Sequence, residues 1–351
     1  VKGKGFKPAE ENPGEFHGVS AFDLDHMPDP DVAPKASFST EFGKTLAALA
    51  SKDERICAIT AAMKYGTGLQ YMYRRHPERF FDVGMAEQHA VTFAAGLASQ
   101  GMRPVVGIYS TFLQRSYDEL IHDVSLQNVK VILAVDRAGV VGEDGKTHQG
   151  VFDAAYLQTI PNTTVYSPAY FQELREQLAF LVREGKGLCA IRYPRGKELY
   201  KPSYFESSLL PFTVYGPQTG EIALVTYGRI FSFAAETAEL LGNLGYPVKL
   251  VKLNRIIPMD QGAVQAVLGC KWVFFFEEGV EQGGIGEHYA SLLQNSGFAG
   301  RFFLRGIRDP FIKHAPMYHS LEELGLNADG MKDCILQSVC EKGFDYSEKT
   351  D

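Results

Sequence analysis

The chain has 351 residues, 45% of them hydrophobic and 22% charged, with a formal net charge of −7. That length is enough for two cores of ordinary size, and the acidic balance argues against a nucleic-acid-binding surface. No apolar run approaches the roughly 20 residues of a membrane span, and the five cysteines form no C-x-x-C pair, which fits a reducing compartment such as the cytoplasm better than a secreted disulfide framework.

Residues 1–36 are rich in proline, glycine and charge, with no initiator methionine, no h-region and no sustained periodicity. They read as an extended arm or linker. From Ser37 the pattern changes: Phe38, Phe42, Leu46 and Leu49 recur at helical spacing. Strands are then expected at 56–60, 79–83, 104–108, 130–135, 163–166 and 188–192, alternating with helices at 86–100, 113–127, 153–159 and 170–184. A connector over 194–217 leads to a second unit, with strands at 221–226, 248–253, 272–276 and 301–305 and helices at 230–244, 285–295 and 330–341. Short apolar strands alternating with amphipathic helices predict two α/β domains with mostly parallel sheets, over residues 37–200 and 213–345.

In such sheets ligands bind where strand ends meet loops. Glu87 opens the helix expected at 86–100, after a strand and a glycine. It reads either as an ordinary N-terminal charge or as a buried carboxylate aimed at a ligand. The apolar run A-V-T-F-A-A-G-L-A that follows predicts a buried helix. Tyr109, Phe112 and Arg115 are spaced by three at the mouth of the next helix. The stretch D-R-A-G-V-V-G-E-D-G-K-T-H-Q-G, Asp136 to Gly150, puts four glycines, Arg137, Asp144 and His148 directly after an apolar strand. Arg195 follows a later strand. Two arginines at strand ends suit one phosphate; a solvated loop with surface charges is the bland alternative. G-G-I-G (283–286) does not satisfy a dinucleotide fingerprint and reads as tight strand–helix packing.

Together these segments resemble the 1-deoxy-D-xylulose 5-phosphate synthases, thiamine diphosphate-dependent relatives of transketolase. The resemblance rests on G-K-G-F-K-P-A-E-E-N-P near the start, G-T-G-L (66–69), F-D-V-G-M-A-E-Q-H (81–89), Y-S-T-F-L-Q-R (109–115), the 136–153 stretch, Y-P-R-G (193–196) and E-E-G-x-x-x-G-G-x-G (277–286). It implies a transketolase-like pyrimidine-binding domain followed by a transketolase-like C-terminal domain. It implies condensation of pyruvate with D-glyceraldehyde 3-phosphate, feeding isoprenoid, thiamine and pyridoxal synthesis. Glu87 would hold the aminopyrimidine and share its proton, shielded from water; Phe112 would stack on that ring, with Phe6 and Arg115 also at the cofactor. Arg137 and Arg195 would grip the phosphate, beside Tyr109, Asp144 and a catalytic His148. The G-D-G motif that holds magnesium and the diphosphate in the family does not occur. The resemblance therefore makes residues 1–36 the tail of a missing domain or chain, places the Mg2+ ligands there, leaves no metal site in this chain, and predicts an isolated chain without activity. A homodimer is implied as well. A transketolase half, a 2-oxo acid dehydrogenase beta subunit and a non-catalytic partner module are the alternatives.

Overall fold

The structure, a computed structural model, describes residues 3–17, 36–142, 144–217 and 219–340. Among these, twelve strands run in chain order: β1 (Ile56–Thr60), β2 (Phe80–Asp82), β3 (Arg103–Tyr109), β4 (Val131–Asp136), β5 (Thr163–Tyr166), β6 (Leu188–Arg192), β7 (Phe212–Tyr215), β8 (Ile222–Tyr227), β9 (Val248–Leu253), β10 (Arg255–Ile257), β11 (Trp272–Val280) and β12 (Arg301–Ile307). They form a seven-stranded sheet, β10-β5-β6-β4-β3-β1-β2, and a five-stranded sheet, β12-β11-β8-β9-β7. Pairing is parallel except at β10, antiparallel to β5, and at β7, antiparallel to β9. The central strands β1, β4, β6 and β8 are buried along their whole length. Helices cover both faces of a parallel sheet, which is why these strands read as unbroken apolar runs.

In the first sheet, β1 has β2 on one side and β3 on the other. The strand order therefore reverses between β1 and β3, and the crevice at their C-terminal ends is the natural ligand position. The helix Phe38–Ala50 starts at Ser37, whose Oγ accepts from the Thr40 N–H at 3.2 Å. Its buried stripe of Phe38, Phe42 and Leu46 lies on one face of the sheet, with Leu174, Leu178 and Leu181 of the helix Phe171–Glu184. A single apolar cluster joins the other face to the second sheet, running from Val131 and Leu133 through Ile256 and Val264 to Val225 and Phe275.

The expected elements are present, with instructive differences. The helix expected at 113–127 changes pitch along its length: an α turn at Ser110–Leu113, a 3₁₀ turn at Gln114–Ser116, an α turn at Tyr117–Glu119 and a π segment at Leu120–Ser125. The 194–217 connector contains an edge strand, β7, set between Pro211 and Pro217. The strand β10 is three residues long, too short to show a period, and it leaves the second unit to seal the first sheet. The arm carries a short helix, Lys7–Glu11; residues 18–35 of the expected linker lie outside the described residues. The helix Glu87–Ser99 is not buried all round. Ala90, Val91, Ala94 and Ala95 face inward, while Thr92 and Gly96 are exposed, Phe93 and Leu97 are half-buried, and the preceding Met85 is 86% exposed.

Candidate active site

The loop after β2 turns on Asp82, whose Oδ1 accepts the N–H groups of Ala62 at 2.7 Å and Gly84 at 3.1 Å. This delivers Glu87 as the first residue of its helix, at the end where backbone N–H groups favour negative charge. Glu87 is 3% exposed. Its partner is Arg115, with Nη1 3.3 Å from Oε2. The Arg115 side chain is itself half open to solvent, so water screens this pair and its contribution to stability is small.

Arg115 lies in the 3₁₀ turn, three residues after Phe112 of the preceding α turn, a spacing that puts the two side chains side by side. Its guanidinium carbon sits 5.7 Å from the centre of the Phe112 ring. Phe112 in turn stacks on Tyr109, with centroids 5.9 Å apart, and meets His148 edge-on at 5.4 Å. The His148 Nδ1 is 2.9 Å from the Thr147 hydroxyl. Arg137 lays its guanidinium over the Tyr109 ring, 3.9 Å from its centroid.

The glycine loop folds back on itself. Gly139 and Gly150 exchange both backbone hydrogen bonds, at 2.6 and 2.8 Å. Arg137, just outside this neck, takes φ +58°, a conformation that costs a side-chain-bearing residue about 1–2 kcal/mol. Its Nη1 donates to Asp144 Oδ2 at 2.6 Å, and Arg195 Nη1 reaches the same oxygen at 3.1 Å. The two arginines therefore converge as expected, onto a carboxylate of the loop itself.

The residues Glu87, Arg115, Phe112, Tyr109, Arg137, Asp144, Arg195 and His148 thus form one continuous chain of contacts. The Phe6 ring packs edge-on against Phe16 at 5.7 Å. The arm does come close: Asn12 Oδ1 accepts from the Tyr65 hydroxyl at 3.4 Å, and Tyr65 precedes Gly66.

Three features of the site lie at residues to which the sequence assigned no role. Gly66 lies against the Tyr109 hydroxyl so closely that a Cβ there would overlap it. Asp136, paired with Tyr109 in the β3–β4 register, is fully buried. Burial pushes its carboxyl up to about 7, against the pull of the nearby Ser39 hydroxyl, Arg137 and the Tyr193 hydroxyl. Burial likewise carries the Tyr109 phenol up to about 12. Finally, Arg229, just after β8, and Glu278 of β11 reach the backbone of the glycine loop. An Arg between an apolar strand and an apolar helix, and a Glu at the end of another apolar strand, were the available signal, since buried charges need partners.

A cleft of about 560 Å³ opens beside this cluster, between Phe152, Ala155 and Tyr156 on one wall and Val280, Glu281, Ile307 and Arg308 on the other. It shares Gln114, the neighbour of Arg115, but none of the site residues named above. Among the described residues no helix is long and apolar enough to cross a membrane, and no three His, Cys, Asp or Glu side chains gather as a metal cage.

Residues 34–199 match the family described as transketolase, pyrimidine binding domain, and residues 216–331 match transketolase, C-terminal domain. The chain is 43% identical over 353 residues to 1-deoxy-D-xylulose-5-phosphate synthase 1 of Geobacter sulfurreducens, covering 98% of this chain and 54% of that protein. It is 41% identical over 345 residues to 1-deoxy-D-xylulose-5-phosphate synthase of Natranaerobius thermophilus, covering 96% and 54%. The chain thus spans about half the length of the curated relatives it matches. Two solved structures share the fold. One is titled split gene transketolase, inactive beta4 tetramer (TM-score 0.75, 24% identity, 87% of this chain and 98% of that one). The other is transketolase from Campylobacter jejuni (TM-score 0.71, 16% identity, 96% and 51%).

Proposed function

The chain belongs to the transketolase-like proteins as a relative of the 1-deoxy-D-xylulose-5-phosphate synthases, and from that premise we propose that it supplies the pyrimidine side of an enzyme joining pyruvate to D-glyceraldehyde 3-phosphate, with release of carbon dioxide. The observation that carries the reading is the single contact chain from buried Glu87 to the arginine pair at Asp144. One end offers a shielded acid beside an aromatic face; the other offers two guanidinium groups suited to a phosphate.

The residues present fit the pyrimidine of thiamine diphosphate. When bound, that cofactor supplies the electron sink for the carbanion left by decarboxylation. Glu87 offers the ring a carboxyl group with which to share a proton, at a buried helix N-terminus with little access to water. Phe112 presents a half-buried face for stacking, and Arg115 fixes the Glu87 carboxylate from the solvent side. Arg137 and Arg195 exchange Asp144 for the phosphate of the incoming aldehyde, and His148, held by Thr147 and Phe112, faces the reacting carbonyls. Phe6 is assigned to the cofactor site through the arm, whose Asn12 meets the Tyr65 hydroxyl beside Gly66.

The diphosphate and its Mg2+ are assigned to the half of the relatives that this chain does not match, so the isolated chain is inactive. The open Thr92, Phe93, Gly96 and Leu97 face of the Glu87 helix is assigned to pairing with a second copy. Cys57, Cys189, Cys270 and Cys334 are free, the first three of them buried, in keeping with the cytoplasm.

The test is product analysis of this chain combined with a polypeptide supplying the diphosphate half, given pyruvate, D-glyceraldehyde 3-phosphate, thiamine diphosphate and Mg2+. 1-Deoxy-D-xylulose 5-phosphate is expected, and Glu87→Gln should slow its formation by about 10²–10⁴-fold. Ketose exchange or acyl transfer to a lipoyl group would replace this reading with a transketolase or dehydrogenase half. An unchanged rate in Glu87→Gln would favour a non-catalytic module.

A further inference from the structure

We propose that the buried pair Arg229–Glu278 of the second domain is a positioning device for the anion-binding arginines of the first. The proposal rests on the reading of Arg137 and Arg195 as a phosphate clamp.

The second sheet has its own reversal of strand order. The strand β8 has β9 on one side and β11 on the other, so a crevice opens at the C-terminal ends of β8 and β11, where α/β sheets ordinarily place a ligand. Here a peptide of the first domain fills that place. The Val140 N–H donates to Glu278 Oε1 at 2.7 Å, and the Val140 C=O accepts from Arg229 Nη2 at 2.9 Å. Arg229 closes the ring by donating from Nε to Glu278 Oε2 at 3.2 Å and from Nη2 to Oε1. Its Nη1 points toward the Arg195 C=O at 3.4 Å. One guanidinium thus touches the backbone of both segments that carry the clamp.

The loop neck is held from its other strand too, because the Val280 N–H donates to the Val151 C=O at 3.0 Å. Gly139 is committed to this arrangement: at φ +86°, any Cβ would run into the Glu278 carboxyl group. The Arg229 and Glu278 residues are each 4% exposed. A buried ion pair is a poor source of net stability compared with apolar packing. What it provides is direction, since charge-assisted hydrogen bonds are strong and geometrically demanding. The pair fixes where the loop leaves the sheet, and so where Arg137, Asp144 and His148 stand relative to Arg195.

Two variants test this. Glu278→Gln keeps the volume and one acceptor for Val140; Glu278→Ala removes both acceptors. In the chain as it stands, hydrogen exchange at amides 138–151 is expected to quicken about tenfold or more in Glu278→Ala and less in Glu278→Gln, with β8 and β9 unchanged. Unaltered exchange in the loop overturns the proposal, and so does equal acceleration across the second sheet. In the assembled enzyme, kcat/KM for D-glyceraldehyde 3-phosphate is expected to fall about tenfold or more, chiefly through KM. The value for unphosphorylated D-glyceraldehyde should fall distinctly less, through His148 alone, whereas equal losses with both aldehydes overturn the proposal. Arg137→Ala and Arg195→Ala are run alongside. If these leave the preference for the phosphorylated aldehyde intact, the clamp reading fails, while loop exchange still decides whether Glu278 positions the loop.

Discussion

Asp153 and Arg192 form a two-pronged ion pair with almost no access to water: Arg192 Nε to Asp153 Oδ2 is 2.8 Å, Nη2 to Oδ1 is 3.1 Å, and the two residues are 0% and 4% exposed. Arg192 ends β6, three residues before Arg195, and its guanidinium carbon lies 5.4 Å from the Tyr227 ring centre of the second sheet. The pair therefore sits under the site and against the domain junction.

Removing one partner should leave the other charge stranded in the interior. Asp153→Ala is expected to cost about 3–5 kcal/mol in denaturant unfolding. Asp153→Asn, which keeps one acceptor, should fall between that and the parent protein. A loss below about 1 kcal/mol for the alanine variant would mean that water reaches Arg192.

Gly66 and Tyr109 make a second prediction. Gly66→Ala puts a methyl group where the phenol oxygen stands, so the ring and the Arg137 guanidinium above it must shift. Binding of inorganic phosphate, measured by calorimetry, should weaken about tenfold. Adding Tyr109→Phe removes the colliding oxygen, and the double variant should recover part of the loss. Additive losses would show that the two positions act independently.

Asp144 competes with any anion for Arg137 and Arg195. Asp144→Asn removes the competing charge while keeping the side-chain shape. Inorganic phosphate should then bind several-fold more tightly, with a steeper dependence on ionic strength. Weaker binding in the variant would identify Asp144 as an organiser of the arginines instead of a competitor.

Asp136 predicts a pH dependence of stability. Burial lifts its carboxyl from 3.8 to about 7, so the folded state holds this proton more tightly than the unfolded chain. Its contribution is fully present below about pH 4 and is lost as pH rises through 7. Asp136→Asn should therefore gain on the parent protein across that window, by on the order of 2–4 kcal/mol between pH 4 and 8. Glu277, which burial also raises to about 7, titrates in the same window and should leave a residual slope in the variant. Equal slopes in the two proteins would place the Asp136 proton elsewhere.

Much of this architecture was legible in the residues. The apolar runs 56–60 and 188–192 became strands with those bounds because a parallel strand covered on both faces tolerates few polar positions, and 163–166 and 248–253 did so too despite their threonines and lysines. The gathering of Glu87, Tyr109, Phe112, Arg115, Arg137, Asp144, His148 and Arg195 followed from their placement at strand ends, where a doubly wound sheet brings loops together. The open side of the Glu87 helix was not legible: Ala, Gly and Thr give no strong polar face, so composition alone read it as buried. Nor was β10, since Arg-Ile-Ile has no period and its pairing with β5 joins residues about ninety positions apart. The Glu278 and Gly139 contact was invisible for a similar reason. Sequence marks a glycine as permissive, but only the fold names the side chain that needs the space.

The route of β10 bears on how this molecule may be cut. A polypeptide ending near residue 200 would retain every side chain proposed for catalysis, yet would leave β5 with an unsatisfied row of backbone donors and acceptors. Bare strand margins of that kind invite self-association. Proteolysis within the 194–211 linker should accordingly give two fragments that remain clasped, and a recombinant first half that precipitates until a peptide spanning 255–257 is restored.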